Sequence, residues 1–101
     1  MIHVIAQIYL RPGTREPFLE EFHKIVPLVL KEEGCLEYGP AIDALTPIDA
    51  QEIEPDRVVV VEKWESVQHL EAHLVCEHMR DYRPKVRDFV ISTVLQILKP
   101  A

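Results

Sequence analysis

Glycine is scarce in this chain, with three among 101 residues, and none sits in a cluster that could cradle a phosphate, so nucleotide chemistry is not expected. There is no serine elbow and no carboxylate pair on a shared face, which removes the usual marks of a hydrolase. Basic residues are also few. The 11 Lys and Arg face 17 Asp and Glu, for a net charge of -6, and they are scattered rather than striped, which argues against a nucleic-acid partner. No apolar run is long enough to span a bilayer, and the N-terminus lacks the charged start and apolar core of a secretory signal, so a cytoplasmic protein is expected. The two cysteines, Cys35 and Cys76, lie far apart and form no CxxC pair, so reduced thiols are expected. Repeats, linkers and low-complexity tracts are absent. The one irregular stretch, Ala44 to Asp56 with Pro47 and Pro55, reads as a loop beside a cavity mouth.

What is present is a set of strands apolar on both faces. Around Val58 to Trp64, side chains alternate with a period of two. Val58, Val60, Glu62 and Trp64 point one way, and Arg57, Val59, Val61 and Lys63 the other. Near the N-terminus, Ile2, Val4, Ala6, Ile8 and Leu10 share one face, while Ile5 and Tyr9, with the polar His3 and Gln7, share the opposite one. The last segment places Phe89, Ile91, Leu95 and Ile97 on one face and Val90, Val94 and Leu98 on the other. Strands of this kind need cover on both sides.

Two helical regions are available to provide it. Thr14 to Glu33 reads as one long helix with Phe18, Phe22, Ile25, Val26 and Val29 at helical spacing, Thr14 as N-cap, Gly34 as stop and a bend at Pro27. The second begins at the N-cap Ser66, turns Val67, Leu70 and Leu74 inward, breaks after Cys76, and continues to about Val86 with an interruption near Pro84. Helices on one side leave the other sheet face open, so a homodimer with sheets packed face to face is expected, from a single domain spanning residues 1–101.

Candidate chemistry centres on histidine. His69 and His73 stand four apart on one helix face and form a possible metal edge. That edge lacks a further carboxylate or histidine at helical spacing, so no metal site is expected. His73 adjoins the Leu70/Leu74 stripe and can line the space between helix and sheet, either as general base or proton shuttle, or as a hydrogen-bonded structural residue. Trp64 at a strand end offers packing area or the wall of a pocket for a flat aromatic ligand. Tyr38 and Tyr82 pose the same choice between core phenol and ligand donor.

The segments VIAQIYLRPG, KIVPLVLKEEGCLEY, VVVVEKWESVQHLEAHLVCEHMRDY and ILKP, in this order, resemble the antibiotic biosynthesis monooxygenase family, and most of all its small bacterial quinol monooxygenases. EGCLEY, EKWES, LEAHL and EHM carry the likeness. The resemblance implies an α+β, ferredoxin-like βαββαβ fold with an antiparallel sheet, dimerised through the sheets into an α/β barrel. It implies oxidation of a quinol or hydroxylated aromatic by dioxygen with no cofactor. On that reading His73 is the proton acceptor, Trp64 a pocket wall, and Tyr38, His78, Tyr82 and Gln7 candidates for substrate binding. Haem-degrading relatives are the main alternative, since they use a tryptophan and a helical histidine corresponding to Trp64 and His73. They also use a first-strand asparagine, where this chain has Gln7. A non-catalytic protein that binds a quinone or aromatic is the third.

Overall fold

A computed structural model describes all residues, 1–101. The chain runs β1 (Ile2–Leu10), α1 (Arg15–Leu30), β2 (Cys35–Ala41), β3 (Arg57–Trp64), α2 (Val67–Val75), α3 (Glu77–Val86) and β4 (Val90–Leu98). This is the expected βαββαβ order, with the second helical region divided in two. The strands form one antiparallel sheet in the order β2-β3-β1-β4, so the two segments richest in core residues, β1 and β3, lie at its centre.

Alternation fixes the faces. In β1 every even-numbered residue from Ile2 to Leu10 is buried and every odd one is partly exposed. Register puts Val58, Val60, Glu62 and Trp64 beside Ile8, Ala6, Val4 and Ile2, and all three helices cover this face. From α1 come Phe18, Phe22, Ile25 and Val29, from α2 Leu70 and His73, and from α3 Met79, Tyr82 and Val86.

Helix ends follow local chemistry. The Ser66 hydroxyl accepts from the His69 N–H at 3.2 Å and caps α2. Gly34 takes φ +81° after α1, a conformation open to glycine at little cost. Thr14 occupies the N-cap of α1 without a side-chain cap bond; its hydroxyl donates to the Arg11 carbonyl at 2.8 Å instead.

Four details depart from expectation. Val67 is 43% exposed rather than inward, because it opens the first turn on the solvent side. α3 runs through Pro84 without interruption. The register shifts between Tyr9 and Leu10, pairing Leu10 with Val90, so Val90 turns to the helix-covered face instead of joining Val94 and Leu98. The loop of residues 42–56 is pinned by Arg57 to Asp43 at 3.0 Å, and none of its residues reaches the main cavity.

Candidate active site

A mainly apolar cavity lies between the helices and the sheet. It measures about 450 Å³, and 12 of its 17 lining residues are hydrophobic, a size and character suited to a small organic molecule. Seven lining side chains carry polar groups: Tyr38, Glu62, His73, Tyr82, Arg83, Arg87 and Thr93. β2 and β3 set Tyr38 and Glu62 directly opposite each other, α2 supplies His73, and α3 supplies Tyr82.

His73 is 2% exposed. Its Nδ1 lies 2.8 Å from Glu32 Oε2. A carboxylate oxygen accepts, so Nδ1 carries the hydrogen and Nε2, which has no protein partner, keeps a free lone pair. Burial pushes the imidazole pKa below its ordinary 6.5; the nearby Glu32 carboxylate opposes this without reversing it. His73 is therefore neutral at neutral pH, the form in which it can take a proton. Should it do so, Glu32 stabilises the resulting imidazolium.

Glu62 is a second acid–base group. Burial pushes its pKa up to about 7; a hydrogen bond from Trp64 pulls the other way, and the Glu32 charge adds to the rise. A carboxyl poised near neutrality inside a cavity suits proton transfer in either direction. Trp64 Nε1 donates to Glu62 Oε1 at 3.0 Å. The hydroxyls of Tyr38 and Tyr82 have no protein partner, and burial first of all holds both phenols well above the ordinary 10. They stay protonated and can donate to a ligand.

The structure sorts the sequence candidates. His73, Tyr38 and Tyr82 line the cavity as expected. Trp64 does not form its wall: fully buried, it stands behind, with its ring 4.8 Å from that of His73 and its N–H on Glu62. It positions two lining residues. Gln7 sits on the helix-free face, where its Oε1 accepts from the Tyr9 hydroxyl at 2.8 Å, because odd positions of β1 point away from the helices. His78 lies outside the cavity and donates from Nε2 to Glu32 Oε2 at 2.7 Å. His69 is not paired with His73; its Nδ1 meets the Ser66 hydroxyl at 2.7 Å.

Glu32 and Glu62 were not singled out from sequence. Glu32 follows the end of α1 and is 41 positions from His73, a distance no local pattern spans. Glu62 did leave a signal, a carboxylate at an inward position among Val58, Val60 and Trp64.

A four-stranded antiparallel sheet covered by helices on one face, with a mainly apolar cavity between them, defines a small ferredoxin-like α+β protein. The chain belongs to the antibiotic biosynthesis monooxygenase family, whose model matches residues 1–85. It is 46% identical over 102 aligned positions to "Probable quinol monooxygenase YgiN" of Escherichia coli K12, covering 99% of this chain and 98% of that protein. The Shigella flexneri protein of the same name matches to the same extent. Among solved structures, an antibiotic biosynthesis monooxygenase superimposes with a TM-score of 0.82 at 22% identity, covering 100% of this chain and 99% of the other. Rv0793 from Mycobacterium tuberculosis gives 0.80 at 22%, covering 99% and 94%. These two show the shared fold.

Proposed function

We propose that the cavity binds a quinol or related hydroxylated aromatic and oxidises it with dioxygen, without a bound cofactor. The observation that carries this reading is His73, held by Glu32 through Nδ1 and left with a free Nε2 in an apolar cavity. The name of the 46% identical relative, a quinol monooxygenase, supports the substrate class.

The chemistry is consistent with the groups present. A hydroquinone is a poor electron donor until it loses a proton; its anion is electron-rich enough to reduce dioxygen, so the substrate itself does the work a flavin would otherwise do. His73 Nε2 takes the hydroxyl proton, Glu32 stabilises the charge formed on the ring, and Tyr38 and Tyr82 donate to the substrate oxygens. Glu62 is placed to handle the second proton. The apolar lining excludes water from the anion. Overall, one quinol and one dioxygen give one hydroxylated quinone and one water, so that one oxygen atom enters the product. The haem-degrading alternative is weakened by Gln7, which faces away from the cavity.

The test is oxygen consumption by metal-free protein with a reduced naphthohydroquinone, against autoxidation alone and against His73→Ala. Protein-dependent uptake that falls about 100-fold or more in the variant is expected, as for loss of a general base. Uptake no greater than autoxidation would overturn the proposal.

The helix-free face supports a homodimer as part of the same reading. Val61 is 42% exposed, Val94 48% and Leu98 45%, and register places them on that face opposite Ile5, Gln7 and His3 respectively. β4 adds an unpaired sheet edge. A second copy packed sheet to sheet would bury these residues. Sedimentation should show a dimer and Val61→Asp/Val94→Asp a monomer; a monomeric wild-type chain would refute the assembly.

A further inference from the structure

His78 and Cys76 are close to the His73–Glu32 pair, yet the proposed oxidation uses neither. Cys76 is at once the last cap of α2 and the first cap of α3, and the break between those helices swings its thiol and the His78 ring toward the turn after α1. Glu32 Oε2 lies 2.8 Å from His73 Nδ1, 2.7 Å from His78 Nε2 and 3.9 Å from Cys76 Sγ. Cys76 Sγ is 3.3 Å from His78 Nε2. One atom from each of the four residues falls within 4.8 Å of every other.

We propose that Glu32, His73, Cys76 and His78 bind one zinc-class divalent cation, and that its binding disables His73 as a base. The donor set is two imidazole nitrogens, one thiolate and one carboxylate oxygen, which suits a borderline-soft ion preferring mixed N, S and O ligands. Thiolate and carboxylate together neutralise the two positive charges. Around a tetrahedral zinc with bonds of about 2.0–2.3 Å, ligand atoms stand about 3.3–3.6 Å apart, within the spread of separations found here. The side chains are sheltered but reachable, since His73 is 2% exposed, Glu32 14% and His78 25%. Three donors converging on one carboxylate oxygen is a crowded arrangement, and a cation replaces those hydrogen bonds with direct bonds to all four residues.

The consequence for His73 follows from its two nitrogens. Coordination requires the lone pair of Nδ1, so the ring hydrogen must move to Nε2. The nitrogen available to the cavity then donates and can no longer accept a substrate proton. The inhibition rests on the proposed function; the binding site does not.

The test is a cobalt titration of the full chain, followed by zinc displacement. One cobalt per chain is expected, with tetrahedral d–d bands and a thiolate-to-cobalt charge-transfer band. Cys76→Ser should abolish that band, and Cys76→Ser and His78→Ala should each weaken affinity about tenfold or more, since losing a direct ligand costs at least as much as losing the outer groups that orient one. His69→Ala should bind as wild type. Circular dichroism checks that each variant is folded. Absence of saturable binding, or binding unchanged in both Cys76→Ser and His78→Ala, would overturn the site. In quinol-dependent oxygen uptake, zinc should inhibit the wild type at concentrations about tenfold or more below those that inhibit Cys76→Ser; full activity in zinc-loaded protein would overturn the coupling. If no quinol is oxidised by any form, the proposed function fails while the cobalt titration still decides the site.

Discussion

Replacing Glu32 with glutamine isolates what its charge contributes. The amide keeps the shape of the side chain, and its oxygen can still accept from His73 Nδ1, 2.8 Å away in the wild type, so the ring orientation survives. What disappears is the negative charge beside the imidazolium formed on proton transfer. A hydrogen bond to a charged group contributes about 1.5–3 kcal/mol; with about 1.4 kcal/mol per tenfold in rate, kcat/KM should fall by about 10- to 150-fold. The pH profile should move separately. Activity needs neutral His73 and declines as pH drops through its pKa. Glu32 raises that pKa against the lowering by burial, so without the charge the pKa falls further and the acid limb shifts to lower pH. A lower plateau together with an acid limb displaced downward is the expected signature in oxygen uptake measured across pH. A plateau within roughly twofold of wild type, or a limb displaced upward, would refute the dyad, since a change in transition-state stabilisation must appear in kcat/KM.

Glu62 makes a prediction about stability. Its folded pKa of about 7 stands above the ordinary 4.5, so between these values the unfolded chain gives up the proton while the folded one retains it. Stability should therefore fall by about 3 kcal/mol as pH rises from 4.5 to 7, and Glu62→Gln should flatten that slope in denaturant titrations; an unchanged slope would refute the shift. Trp64→Phe removes the N–H that lowers the Glu62 pKa, so the carboxyl should titrate above the wild-type value by infrared or NMR. It should also destabilise the fold by roughly 1–2 kcal/mol. Gly34→Ala places a Cβ at φ +81°, 2.3 Å from His69 Cγ, and should lower stability by at least about 1 kcal/mol. Gly39→Ala meets nothing within 4 Å and serves as the control in thermal melts.

Much of the fold was legible because its signals are local. The alternating residues of β1 and β3 sorted their side chains onto two faces, Ser66 and Gly34 marked helix boundaries, and His73 was placed by its position beside Leu70. Gln7 shows a legible signal passed over: the same alternation that buried Ala6 and Ile8 had already set Gln7 on the other face. Val90 was different. Its orientation depends on a register shift between β1 and β4, a property of two paired strands that neither segment carries alone.

Sequence by itself determined which residues share a face in β1 and β3, where α2 begins and the candidacy of His73, Tyr38 and Tyr82, because periodicity and capping act over a few residues; β2 was not among the strands it marked. Only tertiary structure decided which groups share a site. Glu32 and His78, 46 positions apart, meet on one carboxylate oxygen because α1 ends where α2 breaks into α3. Trp64 became a support rather than a wall because helix packing left it behind His73. Glu62 acquired a pKa near neutrality because the sheet and helices together remove it from water, and that desolvation belongs to the assembled fold rather than to any segment of the chain.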